Sequence, residues 1–84
     1  MVSYNIVLKE SAKKEIRSLG KKEIEKIFIQ IKKLSNNPRP IKCKKLNKGQ
    51  FRIRQGNYRI IYEVFDEIKK ISIVKVGHRK EVYR

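Results

Sequence analysis

Two arginines at strand spacing are the first chemistry this sequence offers. In Gln50–Gln55 (QFRIRQ), Phe51 and Ile53 alternate with Arg52 and Arg54. A period of two puts both arginines on one side of a strand. Gln55-Gly56-Asn57 then makes a tight turn. The strand Tyr58–Phe65 (YRIIYEVF) returns antiparallel, so Arg59 lies roughly across from Arg54. In a register where Arg59 shares their face, three guanidiniums converge within roughly 5–8 Å, the range of direct and diagonal cross-strand neighbours. Like charges so close are unfavourable unless an anion visits. A phosphate is the natural visitor, because the guanidinium fork bonds it in bidentate fashion. In any other register these are ordinary outward arginines of a half-exposed sheet.

A second cluster sits in Val76–Arg84 (VGHRKEVYR), which holds the single histidine of the chain, His78, beside Arg79, Lys80 and Tyr83. A tail folded back over the sheet brings His78, Arg79 and Tyr83 to the arginine face. The reference pKa of histidine, ~6.5, suits acid and base roles alike. If extended geometry persists, however, His78 and its neighbour Arg79 point to opposite faces. Tyr58 and Tyr62 read as packing residues.

The elements that must position these groups follow from periodicity. Val2, Tyr4, Ile6 and Leu8 alternate through Val2–Lys9, a strand with one buried side. Ser11 can cap a helix of about two turns carrying Ala12, Ile16 and Leu19, with Gly20 as its stop. A second helix starts at Lys21. Its stripe is Ile24, Ile27, Phe28, Ile31 and Leu34, and Asn36–Pro40 (NNPRP) ends it. Segment 41–48 is a loop, or runs into a strand near Leu46. After the arginine hairpin comes Lys70–Val76 (KISIVKV), where apolar residues on both faces suggest a central strand. The expected fold is α+β, a two-layer sandwich of order β-α-α-β-β-β, its helical hairpin on one face of a mostly antiparallel sheet. Residues 1–84 read as a single domain with a thin core, since so short a chain buries only ~60–65% of its unfolded surface.

Charge bounds the partners. Twenty-three Lys and Arg oppose eight Asp and Glu, a formal +15, and the pI is about 10.3. From Lys26 to Tyr62 there is no acidic residue, against eleven Lys or Arg. Nucleic acid is the leading partner, an acidic protein the second and a membrane surface the third. No stretch of ~18 apolar residues spans a bilayer, and there is no hydrophobic signal region. Cys43 stands alone, so no intrachain disulfide and no cysteine metal site is expected, which suits a reducing, cytoplasmic setting. Lys42 and Lys44 flank Cys43, but a catalytic thiol needs a base and the histidine is far off in sequence.

FRIRQGNYRIIYEV followed by VKVGHRKEVYR resembles the signature of RelE-type toxins of type II toxin–antitoxin systems, within the wider RelE/ParE superfamily. SAKKEIRSL, the second helix ending in NP, and KKLNKG sit where that family has counterparts. The resemblance implies an endonuclease that cuts mRNA in the ribosomal A site, with neither metal nor other cofactor. The 2′-hydroxyl attacks the adjacent phosphate and the 5′-oxygen leaves. Carried over, Arg52 and Arg54 match two basic strand positions, often lysines, that touch substrate phosphates. Arg59 matches a transition-state clamp, Arg79 a contact to the leaving group or phosphate, and Tyr83 a residue that stacks on a base or helps proton transfer. Lys44, Lys45, Lys48, His78 and Lys80 are expected to bind substrate around them. Lysine at 52 or 54 could lose a proton when crowded, whereas arginine cannot act as a base. Base duty then shifts to Tyr83 or another group. The implied partners are an acidic or amphipathic antitoxin, the ribosome with its mRNA through 16S rRNA backbone contacts, and operator DNA only through the antitoxin complex. Two other readings share the fold: a ParE-like gyrase poison, and a degenerate module that binds antitoxin and operator without catalysis.

Overall fold

The computed structural model describes residues 3–78. The elements run β1 (Asn5–Leu8), α1 (Glu10–Arg17), α2 (Lys21–Asn36), β2 (Lys44–Asn47), β3 (Gln50–Gln55), β4 (Tyr58–Phe65) and β5 (Lys70–His78). They form the expected two-layer α+β sandwich, with five strands in the order β1-β5-β4-β3-β2. β1 is parallel to β5 and the other neighbours are antiparallel. No helix among the described residues is long and apolar enough to cross a membrane.

Of the two readings of segment 41–48, the strand near Leu46 is the one present, and it adds one strand to the expected order. β2 has four exposed residues (KKLN) and no apolar alternation, so only its pairing with β3 makes it a strand. Short length and lysines suit an edge that must not recruit other strands. β1 is shorter than Val2–Lys9, and Val2 lies outside the described residues.

The helices follow their apolar stripes and depart from the predicted caps. Ala12 and Ile16 of α1 are buried, as are Ile27, Ile31 and Leu34 of α2. Phe28 lies on the flank of that stripe and stays 41% exposed. The N-cap of α1 is Lys9, with no side-chain bond, so Ser11 is no cap; its hydroxyl has another partner, described below. Gly20 does not stop α1 either. Ser18 ends that helix, and Gly20 (φ −71) is the extended N-cap of α2. Any residue adopts that conformation, so the break there needs no left-handed backbone.

The inner face of the sheet supplies Phe51, Ile53, Ile60, Tyr62, Val64, Ile71, Ile73 and Val76 to the core. Tyr62 is fully buried and donates to the Pro38 carbonyl at 2.7 Å. Its partner explains how a phenol fits an apolar layer. β5 is an interior strand between β1 and β4. Its apolar residues nevertheless share one face. The β4–β5 register slips between Ile61 and Tyr62, so Ile61 faces Lys75 while Tyr62 faces Ile73. Val74 is the extra residue of this bulge, and the alternation inverts across it. Ile71, Ile73 and Val76 therefore all point into the core, and what looked like two apolar faces is one face interrupted.

Candidate functional site

The β3–β4 register brings the three hairpin arginines onto one face. Arg54 lies directly across from Arg59, and Arg52 across from Ile61, two residues further along the same side. The amide of Val64 donates to Gly49, which fixes the parity of the ladder. Arg54 and Arg59 accordingly form a non-hydrogen-bonded pair, the closer type, with Cα atoms about 4.5 Å apart. The two residues at the turn are Gly56, with φ +61, and Asn57. Glycine at the first central position is what a type II′ hairpin turn requires, and its twist suits the strands it joins. This face points away from the core, since Phe51, Ile53, Ile60 and Tyr62 occupy the other side.

β4 is the middle strand, so Arg59 is flanked by Arg54 on β3 and by Gly77 on β5, and it is 3% exposed. Arg52 is flanked by Ile61 and by Lys44 on β2, and is 8% exposed. β2 pairs no further along β3 than Arg52, leaving Arg54 covered on one side and exposed. Burial, and then the charge of Arg54, lowers the Arg52 pKa from the usual guanidinium value. It remains a cation, for no protein environment deprotonates arginine. Partial desolvation strengthens the pull of such a group on an anion. Gly77 puts no side chain beside Arg59. A cavity of about 520 Å³ continues from Arg52 and Arg54 around the sheet edge toward α2, with Lys33 and Lys42 on its rim and Leu34 and Ile53 on its floor.

The remaining sequence candidates scatter. Lys44 pairs with Arg52 and shares its face. Lys45 pairs with Phe51 and so lies on the opposite side of β2. Lys48 is in the β2–β3 turn, at the far end of β3 from Arg54. His78 pairs with Tyr58, its ring edge-on to the phenol at 5.8 Å, on the face opposite the arginines. There it borders a separate cavity of about 290 Å³ with Glu23, Lys26 and Asn57. Arg79, Lys80 and Tyr83 lie outside the described residues. Tyr62 and Tyr58 pack with the core.

Two residues that share the arginine face were not singled out from the sequence. Glu63 continues the period of two from Arg59, and is held by Gln50 at 3.5 Å and Lys9 at 3.8 Å. It stands four residues from Arg59, roughly 13 Å along the strand. Lys75 is the other. Simple alternation assigns it to the core side with Ile71 and Ile73, and only the bulge turns it outward. Cys43 is a free, half-buried thiol packed against the core.

A small α+β sandwich with three arginines on one face of a hairpin is the frame that comparison with known proteins places in a family. Residues 6–83 match the family described as the ParE toxin of type II toxin–antitoxin systems. The mRNA interferase toxin RelE of Escherichia coli is 31% identical over 88 residues, covering 98% of this chain and 92% of that protein. The toxin RelG of Mycobacterium tuberculosis is 42% identical over 36 residues, a match spanning 43% of this chain and 41% of that one. Among solved structures, the archaeal RelE–RelB complex from Pyrococcus horikoshii superposes with a TM-score of 0.84 at 28% identity, covering 93% of this chain and 97% of that one. The isolated E. coli RelE toxin gives 0.82 at 29%, covering 96% and 92%. The chain belongs to this family of toxins of type II toxin–antitoxin systems and is of the RelE type.

Proposed function

We propose that this toxin is an endoribonuclease that cuts mRNA in the ribosomal A site, and that Arg52, Arg54 and Arg59 hold the scissile phosphate. The observation that carries the reading is the register: Arg54 directly across from Arg59, with Arg52 on the same face. In the reaction, the 2′-oxygen forms a bond to phosphorus, the bond from phosphorus to the 5′-oxygen breaks, and the 2′ proton is taken up by a base while the leaving oxygen gains one. The phosphorane between these events carries extra negative charge. Preorganised cations stabilise that charge more than they stabilise the ground state. Since arginine does not accept the proton, Tyr83 is assigned as the base. Arg79 is assigned to the leaving oxygen. No step is assigned to a metal. Similarity to the E. coli mRNA interferase over nearly the whole chain supports the reaction class. The RelE–RelB complexes among the structural relatives support an antitoxin as partner.

Primer extension on a translated message tests the reading. Cuts within A-site codons should appear with the wild-type chain. They should weaken by on the order of 10²–10³-fold in Arg59→Ala, the range for removing one transition-state donor. They should vanish in the Arg79→Ala, Tyr83→Phe double variant. Uncut mRNA with the purified wild-type toxin would sink the proposal. Because the matched family is that of ParE toxins, the second reading is a gyrase poison, and inhibition of supercoiling with intact mRNA would select it.

A further inference from the structure

We propose that Lys75 is a further substrate-binding residue, a phosphate anchor beside the arginine site, and that Ser11 and Glu15 of α1 are the positioning residues that place it there. The inference rests on the ribonuclease reading above and extends its site by one cation.

The last backbone bond at the β1 edge of β5 is Lys9 N to the Ile73 carbonyl, at 3.0 Å. Beyond it β1 has ended, and the edge of β5 faces α1. Two side chains of that helix take the place of a strand. The Ser11 hydroxyl donates to the Val74 carbonyl at 2.7 Å, and the Val76 amide donates to Glu15 Oε1 at 2.9 Å. The first bond is made at the bulge residue Val74 and the second two residues on, at Val76. A bulge leaves backbone groups out of the ladder, and such groups need partners when water is excluded. Ser11 and Glu15 supply them, which favours the bulged register over the unbroken one.

The register decides where Lys75 goes. In unbroken alternation it would follow Ile73 into the core, where an unpaired ammonium is not tolerated. In the bulged register it lies across from Ile61 and diagonal to Arg59, roughly 7–8 Å away. Its side chain is 43% exposed, and the second oxygen of the same carboxylate, Glu15 Oε2, lies 3.7 Å from Nζ. One glutamate thus fixes the backbone and leashes the ammonium. Arg52, Arg59 and Lys75 surround half-buried Ile61 on a single face. A single RNA strand presents successive phosphates, and a compact ammonium on a flexible stem takes a phosphate as a point charge. The Glu15 contact also tempers repulsion between Lys75 and the arginines.

The test uses an RNA with a 2′-deoxy nucleotide at the cut position for binding, and ribosomes programmed with the cleavable message for turnover. Lys75→Ser should weaken binding on the order of tenfold, the low end for an exposed charged contact. It should flatten the slope of log K against log salt by about 0.7. The turnover defect should fall on KM rather than kcat, and Lys75→Arg should restore binding. The Ser11→Ala, Glu15→Ala double variant, checked for a cooperative melt, should bind as weakly as Lys75→Ser, and adding Lys75→Ser to it should cost nothing more. Wild-type affinity and salt slope in Lys75→Ser, with Arg59→Ala defective, would overturn the inference while leaving the nuclease reading intact. Additive losses would remove the positioning role. If Arg59→Ala also binds and cuts as wild type does, the arginine site itself falls, and Lys75 with it.

Discussion

Arg54 and Arg59 set stability against the proposed function at a single residue pair. They stand directly opposite in the closer type of antiparallel pair, where like charges destabilise. Arg54→Gln should therefore raise the stability of the isolated toxin by about 0.2–1 kcal/mol at low salt while weakening mRNA cleavage. Thermal melts with and without added phosphate read this out. The anion should raise the wild-type Tm more than that of the variant, because only the wild type gains relief of repulsion. Equal shifts would mean that the pair does not bind phosphate. The sequence shows two of these arginines on one face by alternation alone. Placing Arg59 with them required the two-residue turn to be closed by Gln55 and Tyr58.

At the level of elements, the helical layer and the sheet meet through a few fully enclosed side chains. Ile27 is 0% exposed, as are Ile60 and Ile73 beneath the helices. Ile27→Ala should cost about 2–5 kcal/mol, the range for a core truncation that leaves a cavity, measured by urea denaturation with an unchanged m-value. Tyr62 adds a pH signature. Burial first, and then the neighbouring thiol of Cys43, pushes its phenol pKa well up. The folded state thus holds this proton more firmly than the unfolded state does. Its contribution is fully present below the unfolded phenol value of ~10 and declines as pH rises beyond it. Tyr62→Phe should flatten the alkaline limb of the stability profile. Phenol absorbance should show one wild-type tyrosine that ionises only on unfolding. Stripe, strand and turn were legible in the sequence here, because their periods are local. The caps were not: Ser11 has the composition of a cap and spends its hydroxyl on β5 instead.

Across the whole molecule, one carboxylate ties three distant segments. Asp66, in the β4–β5 turn, accepts from Tyr4 Oη at 2.7 Å and from Arg39 Nη2 at 2.6 Å. The Arg39 bond first, then that from Tyr4, lowers the Asp66 pKa. A lowered carboxyl contributes above its unfolded value of ~3.9, and the contribution is lost as pH falls through the folded value. Asp66→Asn should therefore lower stability at neutral pH and leave it nearly unchanged in strong acid. A constant difference across the acid range would refute the linkage. Net charge acts at the same scale. With +15 on 84 residues, added salt should raise the Tm by screening self-repulsion and weaken RNA binding by displacing the polyanion. Melts and binding isotherms over one salt series should move in opposite directions.

The sequence by itself determined the sandwich, its helical hairpin, the arginine hairpin and the strong positive charge, because each is written in local period or composition. Tertiary structure decided what depends on pairing between distant segments. The fifth strand, β2, has no pattern of its own and exists through β3. Which residues flank Arg52 and Arg59 follows from strand order, which no local period encodes. Above all, the bulge at Val74 reverses the faces of everything after it. It sets Lys75 and Gly77 beside the arginines and His78 behind them. Its partners, Ser11 and Glu15, lie more than 60 residues away along the chain. A period of two fixes faces only relative to its neighbours, so one inserted residue, stabilised from afar, rewrote the reading of the strand end.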